Sequence, residues 1–208
     1  MLGGLLRILV VALVLLVAAM WLMPRPGDFA PPPAVATMLD APRPLPDVGL
    51  IDVNGNPFSF ADLNGRHALV FFGFTNCPDI CPLTLQVLAG AVEEIRAGNA
   101  EIAPAVVFVS VDPARDSPER IGAYVRGFDP SFIGVTADEA ALQPLLDALS
   151  VTVHKETRDG ETYNVVHNGT VYVIDAAGRW TALFGGNTHD AATIASDYVR
   201  IRRRSQSE

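Results

Sequence analysis

Ala68-Leu69-Val70-Phe71-Phe72-Gly73-Phe74-Thr75-Asn76-Cys77-Pro78-Asp79-Ile80-Cys81-Pro82 decides how the chain is read. Residues 68–74 are a continuous apolar, aromatic-rich run of strand length, suited to a strand buried on both faces. After Pro82, the residues Leu83, Val87, Leu88, Ala91, Val92 and Ile95 recur at helical spacing up to Gly98. A buried strand therefore passes through a short loop into a helix. The chain's only two cysteines lie in that loop, at the C-terminal strand edge where α/β sheets place their ligands. Pro82 suits the first helical position, which sets Cys81 near the helix N-cap, where the macrodipole lowers a thiol pKa and favours thiolate.

The flanking sequence alternates in the same way. Residues 50–53 and 58–60 around Asn54-Gly55-Asn56 read as a short hairpin, and residues 105–111 as a second buried strand. Asp116-Ser117-Pro118-Glu119 starts a helix with a capping residue before a proline. Thr136 and Glu139 form a capping box for a helix through Leu149, interrupted or kinked by Pro144. Residues 171–174 and 180–184 make a hairpin across Asp175-Ala176-Ala177-Gly178, and Thr188 caps a final helix to about Arg200. This order implies a mixed α/β sheet covered by helices.

Upstream lies a different kind of sequence. Residues 1–23 hold one charge, Arg7, and from Leu2 to Met23 are long enough to span about 30 Å of hydrocarbon if Arg7 snorkels. No clean small-x-small cleavage site follows, so a retained N-terminal transmembrane anchor is expected, with Trp21 at the interface and the body exported. Residues 24–46 hold eight of the 16 prolines and read as a stiff linker. The domain is then 47–208. Of 15 Lys and Arg and 23 Asp and Glu, three and two fall in residues 1–46, which leaves the domain at −9. An acidic body argues against nucleic-acid binding. Its one basic cluster, Arg200, Arg202, Arg203 and Arg204, complements a helix C-terminus or forms a solvated tail.

The two cysteines admit several chemistries. A structural disulfide would close only a five-residue loop and gain little. Zinc needs more ligands than this pair and four histidines readily supply. Two thiolates pinching one soft metal, or a reversible disulfide, both fit, and two thiolates with an imidazole suit copper. Among the histidines, His67 begins the strand and lies at the far sheet edge, a surface position. His189 sits at a helix start and His154 in a polar, exposed segment. His167 directly precedes the strand at 171–174, and on the residues alone a structural histidine is its simpler reading.

Residues Phe72 to Pro82, then Val109-Ser110-Val111-Asp112-Pro113-Ala114-Arg115-Asp116-Ser117-Pro118-Glu119, then Tyr163 with His167, resemble the Sco/SenC family of copper chaperones. The resemblance runs in order from about Leu45 to Tyr198. It implies a thioredoxin-like fold with an inserted hairpin, and copper, as Cu(I) or Cu(II), held by Cys77, Cys81 and His167. It also implies a task, helping to assemble the dinuclear copper site in subunit II of cytochrome c oxidase, with a copper donor protein upstream. The implied location is the bacterial inner membrane with the domain in the periplasm, or the mitochondrial inner membrane facing the intermembrane space in a eukaryote. One departure stands out: family members usually have an acidic residue before the histidine and a small hydroxyl after it, whereas here Val166 and Asn168 flank His167. Asp79 and Asp112 are the nearest candidates for tuning the site. A thiol-disulfide oxidoreductase, in which Cys77 and Cys81 are the redox-active catalytic pair, is the alternative function. A peroxiredoxin-like peroxidase on the same fold lacks its motif.

Overall fold

The computed structural model describes residues 2–22, 31–63, 65–158, 162–167, 169–186 and 190–205. Within 156–167 only the backbone is described, and within Leu2–Leu22 side chains are described at Gly4, Arg7 and 10–18. The elements in chain order are α1 (Leu2–Leu22), β1 (Thr37–Pro44), β2 (Leu50–Asp52), β3 (Pro57–Phe58), β4 (Ala68–Gly73), α2 (Ile80–Asn99), β5 (Ala105–Ser110), α3 (Pro118–Arg126), β6 (Ile133–Thr136), α4 (Glu139–Ala148), β7 (Val153–Arg158), β8 (Thr162–His167), β9 (Val171–Ile174), β10 (Arg179–Phe184) and α5 (Ala191–Ser205).

Eight strands form one sheet in the order β1-β10-β9-β4-β5-β6-β2-β3, and β7 and β8 form a separate two-stranded hairpin. At its centre β4 runs parallel to β5, and β5 parallel to β6, while β9 runs antiparallel to β4. Every residue of β4, β5 and β9 is buried, as their unbroken apolar sequences require of strands covered on both faces. Helix α2 packs on α5 so closely that a Cβ at Gly90 would sit 3.0 Å from the Cβ of Ala191. The core joins Phe71, Phe72, Phe108, Tyr172 and Phe184 of the sheet to Leu85 and Leu88 of α2 and Tyr198 of α5. The mixed sheet, its helices and the inserted hairpin are those expected from sequence.

Several local expectations are corrected. The proline-rich stretch does not stay outside the domain as a linker: residues 37–44 form β1, an edge strand on β10 with a register shift between Met38 and Arg43. Pro42 and Pro44 are tolerated there because an edge strand leaves one row of N–H groups unpaired. Asp197, buried on α5, clamps the entry by accepting the N–H groups of Ala34, Val35 and Ala36 at 2.7, 2.7 and 3.0 Å. Burial pushes the Asp197 carboxyl up, but these three donors and Arg200 outweigh it and hold it below the ordinary carboxylate range. No capping box forms at Thr136, which lies in β6 and donates to the Ser110 carbonyl at 3.3 Å; Asp138 occupies the N-cap of α4 without a side-chain bond. The Thr188 cap lies outside the described residues, while Asp190 accepts the Thr193 N–H at 2.9 Å, and α5 continues past Arg200 to Ser205. His67 is buried rather than on the surface, edge-on to Tyr198 and 3.4 Å from the Ser205 hydroxyl. Burial, then Arg202, lowers its pKa.

Among the described residues no helix is long and apolar enough to cross a membrane. In α1 the described side chains at 10–18 are exposed, a stretch shorter by itself than the roughly 20 residues that a crossing requires.

Candidate metal centre

The cysteine loop is built on the C-terminal edge of β4. Phe74 continues the buried strand, and its carbonyl accepts the Cys77 N–H at 3.2 Å. Helix α2 then begins at Ile80, one residue before Cys81, with Pro82 still in the first turn, where its missing N–H costs nothing. The Cys81 N–H points at Cys77 Sγ, 3.4 Å away. The two thiols thus meet where the loop runs into the helix, Cys77 before the N-cap and Cys81 in the first turn, and are not joined by a disulfide. Cys81 is fully buried and Cys77 half-exposed.

The expectation that the helix N-terminus makes Cys81 a thiolate is overturned. Its interaction with the Cys77 thiol, and then its burial, push the Cys81 thiol far above the ordinary range. The helix dipole is outweighed because a second thiol and an apolar wall both penalise the charged form. Gly73 makes this packing possible: a Cβ there would lie 2.7 Å from the Phe108 ring and 2.9 Å from Cys81 Sγ.

Behind the loop stands a polar frame whose functional place sequence reasoning missed. Buried Asp116 accepts the Thr75 N–H at 2.9 Å, the Thr75 hydroxyl at 2.5 Å and the Ser110 hydroxyl at 2.6 Å. Arg120, in the first turn of α3, donates to Thr75 Oγ1 at 2.7 Å and to Asn76 Oδ1 at 2.6 Å. The residues immediately before Cys77 are thus tied to α3 and the end of β5. The only sequence signal was Asp116-Ser117-Pro118, legible as a helix start and silent about its carboxylate facing Thr75. Asp112 is also buried, ion-paired with Arg115, whose guanidinium lies 5.7 Å from the Phe74 ring centre. Asp79 is the N-cap of α2 and makes no side-chain cap bond. Tyr124 of α3 has a buried hydroxyl with no hydrogen-bond partner among the described residues. Burial, then the two cysteines, raise its pKa.

His167 is the last residue of β8, opposite Val153 at the base of the hairpin; its side chain lies outside what is described. The backbone still locates it. Because β9 runs antiparallel to β4 with Val171 opposite Phe71, the chain enters β9 from the edge at which β4 ends. His167, four residues before Val171, belongs to the edge that carries the cysteine loop. His67 stands at the start of β4, at the opposite edge, and His154 is exposed on β7. His189 lies outside the described residues. Among the described residues no cluster of three metal-ligating side chains is assembled.

Comparisons with known proteins bear on the family and the fold. The SCO1/SenC family model matches residues 41–202. The SCO2-like protein RP587 of Rickettsia prowazekii is 37% identical over 137 residues, which cover 65% of this chain and 66% of that one, just under two thirds of its length. Among solved structures, Arabidopsis thaliana ScoI with copper bound superposes with a TM-score of 0.68 at 30% identity, over 80% of this chain and 98% of that one. Yeast Sco1 with copper bound gives 0.65 at 30% identity, over 78% and 87%. These neighbours make the mixed sheet thioredoxin-like. Since the family match runs from β1 to α5 and takes in both cysteines and His167, the chain belongs to the SCO1/SenC family.

Proposed function

We propose that the chain is a copper metallochaperone that carries one copper ion on Cys77, Cys81 and His167 and delivers it to the dinuclear copper site of cytochrome c oxidase subunit II. The observation that carries this reading is the juxtaposition at one sheet edge: one thiol in the loop and one in the first turn of α2, in contact through the Cys81 N–H, with the backbone of His167 brought to the same edge by β9. Copper-bound relatives at 30% identity support it. The donor set fits the cargo, since two thiolates suit Cu(I) and an added imidazole accommodates Cu(II).

The unequal burial of the thiols gives the carrier its direction. Copper displaces the Cys81 proton, and the buried sulfur then holds the ion from below. Cys77, half-exposed, is the ligand that an incoming acceptor thiolate replaces, so cargo leaves by stepwise ligand exchange. The frame of Asp116, Thr75 and Arg120 keeps the two sulfurs in register while the outer shell changes. Residues 1–23 act as the N-terminal anchor in this reading, which rests on their sequence, an apolar run from Leu2 to Met23 with Arg7 as its single charge. The domain would then work at the bacterial inner membrane, in the periplasm, supplied by a copper donor protein.

The same asymmetry favours one other reading, a thiol-disulfide oxidoreductase. The Cys77 thiolate would attack a client disulfide, release one client thiolate and form a mixed disulfide. The Cys81 thiolate would then attack Cys77 Sγ, free the second client thiol and leave Cys77–Cys81 oxidised. Mixing the copper-loaded chain with a reduced, copper-free soluble domain of subunit II separates the two. The chaperone reading expects copper in the acceptor after separation, and none from Cys77→Ser. Copper retained by the chain, together with reduction of an oxidised acceptor, would establish the oxidoreductase instead.

A further inference from the structure

The domain is acidic, at −9, yet one end of it is not. Arg200, Arg202, Arg203 and Arg204 crowd the last two turns of α5, Arg203 exposed and the others half-buried. Arg66, before β4, adds a further charge whose influence reaches Tyr198. Against these five cations stand Asp197, 3.6 Å from Arg200, and Glu94, across a groove of ≈ 470 Å³ between α2 and α5. Glu101, beside the Ile102 whose carbonyl accepts the Tyr198 hydroxyl, and Glu208, three residues past Ser205 in sequence, add two more acids, while Asp175 facing His67 is paired with Arg179. The end is net positive, with more cations than the last turn of one helix needs to complement its dipole.

The N-terminal chain enters the domain at this same place. Pro31 lines the groove together with Arg200 and Arg203, Arg200 donates to the Pro32 carbonyl at 3.4 Å, and Asp197 holds residues 34–36. Residues 23–30 are all that separate α1 from Pro31, a reach of at most about 30 Å when fully extended. With α1 in a bilayer, the arginines are therefore confined near its surface, where a short tether makes even a weak attraction effective. The thiols are at the other pole. His67, beside Ser205 of α5, precedes β4, and the six residues of β4, about 20 Å of strand, separate it from the cysteine loop.

We propose that the C-terminal end of α5 docks on anionic phospholipid headgroups through Arg202 and Arg203, seating this end of the domain on the bilayer and directing the Cys77–Cys81 loop away from it. The proposal rests on the reading of residues 1–23 as a membrane anchor. An acidic protein would match the charge equally well; the entry of the tether among the arginines selects the lipid.

The full chain reconstituted in nanodiscs tests it, with discs of phosphatidylcholine compared with discs in which about a third of the lipid is phosphatidylglycerol. Hydrogen exchange at the amides of residues 200–205 should slow by about fivefold or more in the anionic discs, the effect of one surface arginine on partitioning. High salt should reverse it, and the Arg202→Glu/Arg203→Glu variant should not show it. Arg203→Glu alone, at an exposed position, carries the comparison if the double variant fails to fold. Equal exchange in both disc types, with the chain incorporated, overturns the docking and leaves the anchor standing. Failure to incorporate into either disc overturns the anchor and the docking with it. Slowing that ignores lipid charge and appears only with an added acidic protein reassigns the face and overturns the lipid proposal.

Discussion

The cysteine loop and the hairpin that ends at His167 meet at one edge of the sheet but are built by different means. The loop grows out of the most deeply buried strand, and Asp116, Thr75, Ser110 and Arg120 brace it through five side-chain hydrogen bonds of 2.9 Å or less. Among the described residues the hairpin forms a sheet of its own with no strand partner in the main one. Its described side-chain ties are Val153, packed half-buried against the core, and the Lys155–Glu139 ion pair at 2.6 Å, between partners 29% and 67% exposed. A site assembled this way keeps two sulfurs fixed while its third candidate ligand rides on a separable element. That suits a carrier, which must hold an ion and also let it go.

Removing either sulfur tests the rigid half most severely. Cys77→Ser or Cys81→Ser is expected to weaken copper binding by more than the roughly 10- to 100-fold typical of losing an outer-shell partner, as read by competition with a copper chelator. Bracing itself is tested by Asp116→Asn, which should lower stability by about 1.5–3 kcal/mol, the range for hydrogen bonds to a charged group, measured by urea unfolding. It should also weaken copper binding while leaving both sulfurs in place. Gly73→Ala should cost about 1–3 kcal/mol by forcing a methyl against Phe108 and Cys81; unchanged stability would show that the loop yields more than its packing implies.

A control lies outside both regions. The Asp197 carboxyl is held below its ordinary pKa, so its stabilisation is fully present above the unfolded carboxylate value near 3.9 and is lost as pH falls through the lower folded value. Asp197→Asn should therefore flatten the acid limb of a pH–stability curve without touching copper affinity. The smallest effect belongs to the hairpin. Lys155→Ala should change global stability by no more than about 1 kcal/mol, while hydrogen exchange speeds up across residues 153–158.

The difference between these regions also explains what could be read from sequence. Buried strands such as 68–73 and 105–110 announce themselves because burial on both faces demands unbroken apolar runs, and Cys77 and Cys81 are conspicuous as the only cysteines. β1 was hidden because its two prolines sit in a proline-rich stretch with a linker's composition, and its place depends on Asp197, more than 150 residues away. Thr136 followed a local capping pattern that β6 overrode by pairing with β5 and β2. Asp116 was visible only as a helix start, since a carboxylate facing Thr75 is a tertiary fact. His167 drew its assignment from resemblance; the physical reason for its edge, the antiparallel direction of β9, is not written in its neighbours Val166 and Asn168.

The most direct measurement is an anaerobic copper titration of the reduced full-length chain beside His167→Ala and Cys77→Ser. The account predicts one tightly held equivalent of copper, strongly weakened in both variants. Copper affinity unchanged by His167→Ala would contradict a centre that joins the braced loop to the hairpin.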